Sequence, residues 1–333
     1  MRLRVGRRFV LVGGVALLLL LVLTSLAVGS NPISPLKVGH ALLSPDGGET
    51  ASIVWDLRVP RTLLGLTVGA ALATAGVLLQ ALTRNPLAEP RILGISAGAS
   101  LGVVIAITLF SIGSLAGYVW FGIAGALVAG LLVTGIAART AQGSSPVTLA
   151  LVGAALDASF GAITAGILST NTRTFDEFRF WVVGGLNGRD ASVAAQVLPF
   201  LVGGLLLAAV VARGLDALAL GDDVARGLGT RVGLVRIGAG AAAVLLTGAG
   251  VAAAGPIAFV GLAVPHLARA LVGTDQRWIL AVSALLGPVL LLAADVIGRV
   301  VALPGEVSAG IITALVGAPV LALLVTRAKV VAA

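Results

Sequence analysis

Apolar runs alternate with short polar connections along almost the whole chain. The runs lie at residues 9–28, 57–82, 92–110, 118–137, 146–168, 193–212, 234–254, 257–272, 279–302 and 307–326. A helix needs about 20 apolar residues to cross a bilayer, and most of these runs reach or approach that length. The run 257–272 is short and is interrupted by Pro265, His266 and Arg269. Counting it gives ten spans and omitting it gives nine, so the pattern predicts a single all-α transmembrane domain over residues 1–333.

The first run follows a basic N-terminus and has two interpretations. Basic residues, an apolar core and then small residues are also the order of a cleaved signal peptide. The run from Phe9 to Val28 is longer than the apolar core of most signal peptides, and it can cross a bilayer. We therefore interpret it as a retained first span.

The basic residues predict how the spans are oriented. With ten spans and a cytoplasmic N-terminus, 15 of the 22 Lys and Arg residues fall on the inside and the remaining 7 fall outside. Cytoplasmic loops of membrane proteins carry this excess of positive charge. The expected location is a bacterial cytoplasmic membrane, crossed several times, with both termini in the cytoplasm.

The densest charge cluster lies at residues 213–233, between two apolar runs, and cannot enter hydrocarbon. Asp222 and Asp223 suit the first turn of a short helix, where carboxylates favour the positive end of the helix dipole. Val224 and Leu228 are four residues apart and would form one apolar stripe, and Gly229 is a plausible stop. Such a helix could fit a groove on a partner, although spacing alone favours an ordinary solvated loop.

Composition narrows the class of protein further. The 333 residues are 58% hydrophobic and 11% charged, against about 25% charged in a soluble domain. The chain contains no cysteine, no phosphate-binding loop and no H-E-x-x-H motif, and His40 and His266 are isolated. We therefore expect no cofactor, no metal site, no nucleic-acid partner and no catalytic activity of its own.

Two carboxylates inside the apolar runs are candidates for function. Asp295 and Arg299 are four residues apart in the ninth run, so we expect them to form a structural pair along one helix face. Asp157 in the fifth run has no such neighbour. It could face a water-filled path, or it could meet a hydroxyl or an arginine on another helix.

The remaining connections and the glycines have simpler interpretations. Residues 29–56 contain Pro32, Pro35 and Pro45 and are expected to form turns outside the membrane. The outer stretch 170–190 contains aromatic residues that we expect at the membrane interface. Glycines at four-residue spacing indicate close helix packing, namely Gly65 with Gly69, and Gly94 with Gly98 and Gly102.

Four ordered blocks of sequence resemble the FecCD family of bacterial ATP-binding-cassette (ABC) importer permeases. The first is RVPRTLLGLTVGAALATAGVLLQALTRNPLAEPRILGISAGASLG, residues 58–102. The others are LALGDDVARGLGTRV (218–232), GPIAFVGLAVPHLARALVGTD (255–275) and LPGEVSAGIITALVGAPVLALLV (303–325). The resemblance covers residues 55–327 and implies a ten-helix subunit of the type II ABC importer class. Ferric siderophore is the expected cargo, with vitamin B12 or haem as alternatives.

The resemblance also implies partners: a second permease subunit, identical or different, two cytoplasmic ATPase subunits and an extracytoplasmic substrate-binding protein. The charged segment would then dock on the ATPase through Leu218, Gly221, Asp222, Asp223, Val224, Arg226, Leu228 and Gly229. Arg58, Arg61 and Arg299 match positions that receive glutamates of the binding protein. The simpler alternative is that these arginines interact with lipid headgroups or with Asp295. Asn85 and Leu87 match positions near the cytoplasmic gate, and the fifth and tenth helices would line the path, with Asp157 on the fifth. Pro146, Val147 and Asp157 depart from the family pattern.

Two rival classes lack support in the sequence. A secondary transporter that works without ATP would show inverted repeats and paired intramembrane charges, and Asp157 alone is weak support for one. A membrane scaffold or enzyme subunit would leave the charged segment at 213–233 unexplained. Recovery of an ATPase subunit with the chain would separate the importer from the secondary transporter.

Overall fold

The computed structural model describes residues 6–43, 48–140 and 146–319, and these contain helices and no strand. In chain order the helices are α1 (Arg7–Ala27), α2 (Pro35–Leu43), α3 (Glu49–Ser52), α4 (Val59–Thr83), α5 (Ile95–Phe110), α6 (Leu115–Ala138), α7 (Pro146–Thr170), α8 (Thr172–Val182), α9 (Ala191–Ala219), α10 (Asp222–Gly227), α11 (Val232–Ala254), α12 (Val260–Val272), α13 (Gln276–Val301) and α14 (Ala309–Pro319). A π-helical segment, Ile53–Arg58, joins α3 to α4, and a 3₁₀ turn, Pro90–Leu93, precedes α5.

The predicted all-helical membrane architecture is confirmed for the described residues. Seven helical segments there are long and apolar enough to cross a membrane: α1, the continuous segment Glu49–Thr83, α6, α7, α9, α11 and α13. The helices α5, α12 and α14 are shorter and also apolar. The predicted run 307–326 is helical over residues 309–319, and its residues 320–326 lie outside the described part of the chain.

Helix α4 lies at the centre of the bundle and is the most buried of the long helices. It packs against α13, α11, α12 and α9, and Leu64, Val68, Leu72 and Leu78 are fully or almost fully buried. By contrast, α1 and α7 lie at the periphery and expose most of their residues. A helix that is apolar on every side can occupy either position in a membrane protein, because neighbouring helices and lipid both accept apolar side chains.

Glycines bring the helix backbones close together, as their spacing predicts. A Cβ atom on Gly102 of α5 would lie 2.1 Å from the carbonyl oxygen of Phe121 in α6, and one on Gly98 would lie 2.5 Å from that of Gly125. Gly69 of α4 lies equally close to the backbone of α13. Gly94, by contrast, precedes α5 in the left-handed conformation (φ 65°) and is not part of the helix face.

Two predictions about the outer connections were wrong. Residues 29–56 are not turns alone, because α2, α3 and the π-helical segment lie there, and Trp55 Nε1 donates to the carbonyl oxygen of Ala41 at 3.0 Å. The stretch 170–190 contains α8, whose N-terminus is capped by the Asn171 side chain. Phe178 and Trp181 of α8 are buried in the protein rather than placed at a membrane interface, whereas Phe175 and Phe180 are 47% and 73% exposed.

Candidate functional site

The charged segment forms the short helix that its sequence predicts. α10 begins after Gly221, whose φ of 106° a side chain would rarely adopt, and carries Asp222 and Asp223 in its first turn. The helix ends with Gly229 in the left-handed conformation (φ 78°), and the Thr230 N–H donates to the carbonyl oxygen of Ala225 at 2.9 Å. This is a Schellman ending, in which a glycine satisfies carbonyl groups left free at the helix terminus. Backbone geometry therefore fixes both ends of α10.

One face of α10 is apolar and exposed. Val224 and Leu228 are 50% and 65% exposed, whereas Ala225, which lies between them in the sequence, is fully buried. Leu218, in the last turn of α9, is also buried and supports α10 from behind. On the exposed side, Arg226 donates to Asp223 at 2.8 Å. The predicted apolar stripe thus exists, and half or more of each of its two side chains is exposed.

Asp222 holds α10 against two other helices. Its carboxylate lies 2.6 Å from Arg84 Nη2, at the end of α4, and 2.9 Å from Arg236 Nη2 in α11. The Arg84 guanidinium also donates to the carbonyl oxygen of Leu218 at 3.0 Å. Sequence reasoning missed Arg84, because 138 residues separate it from Asp222 and neither periodicity nor a local motif connects them.

The turn that follows α4 contains the residues predicted near the cytoplasmic gate. Arg84 adopts a left-handed backbone conformation (φ 49°) and ends the helix. Asn85 Oδ1 accepts from the Leu87 N–H at 2.9 Å, and the Ala88 N–H donates to the Asn85 carbonyl oxygen at 3.1 Å. This compact turn leaves Leu87 42% exposed. Pro146 and Val147, which depart from the family pattern, belong to the loop 143–148, and residues 143–145 of this loop lie outside the described part of the chain.

Glu89 attaches the other end of this turn to α12. Its Oε1 accepts from the N–H of Phe259, the residue before α12, at 2.8 Å. Burial raises the pKa of the Glu89 carboxyl above its ordinary value, opposed by the Phe259 N–H and by Arg91. Phe259 has a left-handed backbone (φ 68°) and lies so close to Gly317 of α14 that a Cβ there would be 2.3 Å from the Phe259 Cβ.

At the opposite end of the bundle, Asp295 lies between two arginines. Arg61 of α4 donates to both of its oxygens at 2.8–3.1 Å, and Arg299 of α13 pairs with it from one turn away. Arg61 also donates to Glu306 at 2.8 Å. The predicted structural pair of Asp295 and Arg299 is confirmed. Arg61 contacts Asp295, which was one of the alternatives for this arginine, whereas its contact with Glu306 was not predicted.

Arg299 and Arg58 also bind the C-terminal end of α1. Arg299 donates to the carbonyl oxygen of Ser25 at 2.7 Å, and Arg58 donates to that of Leu26 at 2.6 Å. The last carbonyl groups of a helix have no partner within it, and here the guanidinium groups supply one. Arg58 and Arg299 are only 6% and 2% exposed.

These contacts bear on the predicted docking of a binding protein at Arg58, Arg61 and Arg299. Arg58 and Arg299 face inward and are already engaged, so neither can receive an external carboxylate without releasing α1. The Arg61 side chain, at 14% exposure, is the most accessible of the three, and its contact with Glu306 lies at the surface. The docking role of all three stays a prediction.

Asp157 lies exposed on α7, and no hydrogen bond or ion pair joins it to another described residue. Its neighbours on α7 include the exposed apolar residues Leu151 and Ile163. An apolar groove of about 670 Å³ lies along α14 and is lined by Val183, Ile311, Ala314, Leu315 and Pro319, among others.

Among the described residues no cluster of His, Asp and Glu could hold a metal ion.

The described residues form a helical membrane bundle that displays a short amphipathic helix, α10, between the long apolar helices α9 and α11. Residues 17–327 match the FecCD transport family, and the chain belongs to that family. It is 42% identical over 322 residues to the ferric enterobactin transport system permease protein FepD of Escherichia coli K12, covering 96% of each chain. It is 38% identical over 318 residues to the probable siderophore transport system permease protein YfiZ of Bacillus subtilis 168, again covering 96% of each.

A solved structure has the same fold. It is described as the inward-facing conformation of a metal-chelate type ABC transporter, and the two chains superpose with a TM-score of 0.83 at 27% sequence identity. The match covers 97% of this chain and 100% of the other. The likeness therefore extends over the whole bundle and is not confined to the regions that the sequence motifs cover.

Proposed function

We propose that this chain is the transmembrane permease subunit of an ABC importer for a ferric siderophore. The importer moves the cargo across the cytoplasmic membrane, and a separate ATPase subunit hydrolyses the ATP. The observation that carries the proposal is α10, a rigid helix with an exposed apolar face between two long apolar helices. The permeases FepD and YfiZ are named for ferric enterobactin and siderophore transport, and they support iron chelate as the cargo.

The topology we propose has ten spans with both termini in the cytoplasm. It counts the seven long segments together with the shorter helices α5, α12 and α14. Arg84, Arg226 and Arg236 then lie on the same side as α10, in agreement with the positive-inside rule. The segment 213–233 is cytoplasmic in this arrangement, and Arg58, Arg61 and Arg299 face the outside.

The subunit acts as a dimer in this proposal, with an identical or a related partner. The exposed faces of α7 and α14 are apolar, and a second permease subunit would cover them. The cargo path lies between the two subunits, so Asp157 faces the path rather than lipid. Such a position accounts for a carboxylate on an otherwise apolar helix, because an exposed charge is costly in hydrocarbon.

The partner on the outer face is a substrate-binding protein. Arg61 is the residue most able to receive one of its carboxylates, because its guanidinium is held in a fixed orientation by Asp295 and reaches the surface at Glu306. An arginine fork can hold a carboxylate with two hydrogen bonds. Arg58 and Arg299 contribute by holding α1 and α13 in place around Arg61.

The test of the proposed function is the double substitution Val224→Asp and Leu228→Asp. Charges on the apolar face of α10 would have to be buried without partners in the ATPase groove. We expect the variant to fold, to lose most of its co-purifying ATPase subunit and to lose uptake of radioiron-labelled siderophore in reconstituted vesicles.

The matched control is Val224→Ile with Leu228→Met, which keeps the face apolar and should retain both assembly and uptake. Normal assembly and normal uptake in the Asp variant would contradict the docking role of α10. Uptake that proceeds in vesicles without any ATPase subunit would instead favour a secondary transporter.

A further inference from the structure

Arg84 connects the turn after α4 with the helices α9 and α10. Its backbone ends α4 and begins the turn that contains Asn85 and Leu87. Its guanidinium lies against α10, 2.6 Å from Asp222, and against the end of α9, 3.0 Å from the Leu218 carbonyl oxygen. Among the described residues, this side chain provides the direct polar contact between α10 and the turn after α4.

The backbone at Arg84 favours a different residue. With φ at 49°, Arg84 occupies the position after a helix that glycine or asparagine adopts at least cost. An arginine there introduces strain, which the surrounding structure must offset. The contacts of its guanidinium with Asp222 and Leu218 offset it, and they are made in this backbone conformation. The presence of an arginine at position 84 is therefore better explained by its contacts with α9 and α10 than by the ending of α4.

We propose that Arg84 is a positioning residue that transmits movement of α10 to the cytoplasmic turn, residues 84–89. The inference rests on the proposed function, in which α10 docks on the ATPase. Arg236 holds the same carboxylate, but it lies in the first turns of α11, and no hydrogen bond or ion pair joins it to the described residues of the turn. Arg84 and Arg236 thus differ in what they connect to α10, although both neutralise Asp222.

At the far end of the turn, Glu89 connects the turn to two further helices, α12 and α14. Glu89 accepts from the Phe259 N–H at 2.8 Å, and the Phe259 side chain packs on Gly317 of α14. The turn is therefore attached to α10 through Arg84 and to α12 and α14 through Glu89. Both attachments are polar contacts to groups of fixed position. A displacement of α10 therefore shifts the turn through Arg84. The turn then shifts α14, which lines the proposed path, through Glu89 and Phe259.

The experiment compares Arg84→Gly, Arg84→Lys and Arg236→Gln in the complete complex of permease, ATPase and binding protein in vesicles. Three quantities are measured: recovery of the ATPase subunit, melting temperature, and siderophore molecules imported per ATP hydrolysed. Arg84→Gly relieves the backbone strain and removes the link. We expect its melting temperature to be unchanged or higher, while import per ATP falls about 5- to 10-fold, the lower end of typical coupling between sites.

Arg84→Lys keeps a positive charge near Asp222 and should recover part of the lost coupling. Arg236→Gln removes a comparable ion pair from the same carboxylate, and we expect import per ATP to stay within about twofold of the wild type. An Arg84→Gly complex that imports normally, or one that loses melting temperature and coupling together, overturns the inference. So does an Arg236→Gln complex that is uncoupled to the same degree.

These outcomes are separate from a failure of the proposed function. If the wild-type chain recovers no ATPase subunit and imports no siderophore, the importer assignment itself fails, whatever Arg84 does. If the wild-type complex imports and the Arg84 variants match it, only the role of Arg84 is refuted.

Discussion

At the scale of single residues, Asp295 shows how a charge is retained inside an apolar bundle. It is 1% exposed and receives hydrogen bonds from Arg61 and Arg299. Arg299 in turn binds the carbonyl oxygen of Ser25 at the end of α1. The carboxylate therefore pairs with the buried guanidinium of Arg299 and with the more accessible guanidinium of Arg61, and through them it joins neighbouring ends of α1, α4 and α13.

We predict that Asp295→Asn destabilises the protein strongly. The asparagine side chain has the same size but leaves Arg299 without a carboxylate partner and Arg61 with Glu306 alone. Breaking a buried ion pair on one side typically costs about 3–5 kcal/mol, and we expect a loss of that order. Chemical unfolding in detergent, followed by tryptophan fluorescence, would measure it.

The matched control is Asp176→Asn on α8, whose partner Arg179 is about half exposed. An exposed pair of this kind contributes at most about 1 kcal/mol, so the control should change stability little. Equal stability of the Asp295 and Asp176 variants would show that the buried network is not needed for the fold.

These residues also show where sequence reasoning ends. The pair Asp295–Arg299 was predictable, because residues four apart meet on one helix face. The contact between Arg61 and Asp295 was only one of several alternatives, because 234 residues separate them and only the packing of α4 on α13 brings them together. The burial of Arg58 and Arg299 was not predictable for the same reason, since the carbonyl groups that bind them belong to the end of α1.

At the scale of elements, the sequence predicted the long helices and missed the short ones. Apolar runs identify α4, α6 and α13 by length alone. Apolar runs do not identify α2 and α8, because α2 has only nine residues and α8 mixes charged with aromatic side chains. α10 is shorter still and was nevertheless predicted, because two carboxylates mark its first turn and a glycine marks its end.

Glycine spacing predicted close helix packing along α5, and the structure shows that the partner is α6. The contribution of this contact to stability can be tested. We predict that Gly102→Ala destabilises the bundle by about 1–3 kcal/mol, the usual cost of overpacking. The added Cβ would lie 2.1 Å from the Phe121 carbonyl oxygen, so the two helices would have to move apart. Melting temperature and chemical unfolding in detergent are the measurements.

Gly135→Ala in α6 is the matched control. Gly135 lies in a helix interior, and an added Cβ there has no neighbour within 4 Å. Alanine has the higher helix propensity, so this variant should be neutral or more stable by up to about 1 kcal/mol. Similar losses in both variants would mean that the cost comes from the helix backbone and not from the contact with α6.

At the scale of the whole molecule, the polar contacts concentrate at the two ends of the bundle. One group surrounds Asp222 beside α10, and the other surrounds Asp295 at the opposite end. Between them the core consists of small and branched apolar residues in close contact. In the proposed importer these two ends are the ones that meet the ATPase and the binding protein.

Asp157 is the exception to this distribution, and it provides the test of the path. Its carboxylate is exposed on α7 and has no partner among the described residues, in contrast to Asp295. If the dimer encloses the path next to α7, Asp157 contributes to transport and not to folding. We predict that Asp157→Asn leaves the melting temperature within error of the wild type, while the uptake rate per folded complex changes several-fold, on the order of one kcal/mol in the barrier.

Asp157→Glu keeps the charge and should transport at a rate closer to the wild type than Asp157→Asn does. The readouts are siderophore uptake in vesicles, normalised to folded complex, and thermal unfolding of the same preparations. Asp295→Asn serves as the structural reference, because it should lose stability. A large loss of stability in Asp157→Asn, with unchanged transport per folded molecule, would show that a second subunit buries Asp157 against a partner and that the residue serves assembly instead of the path.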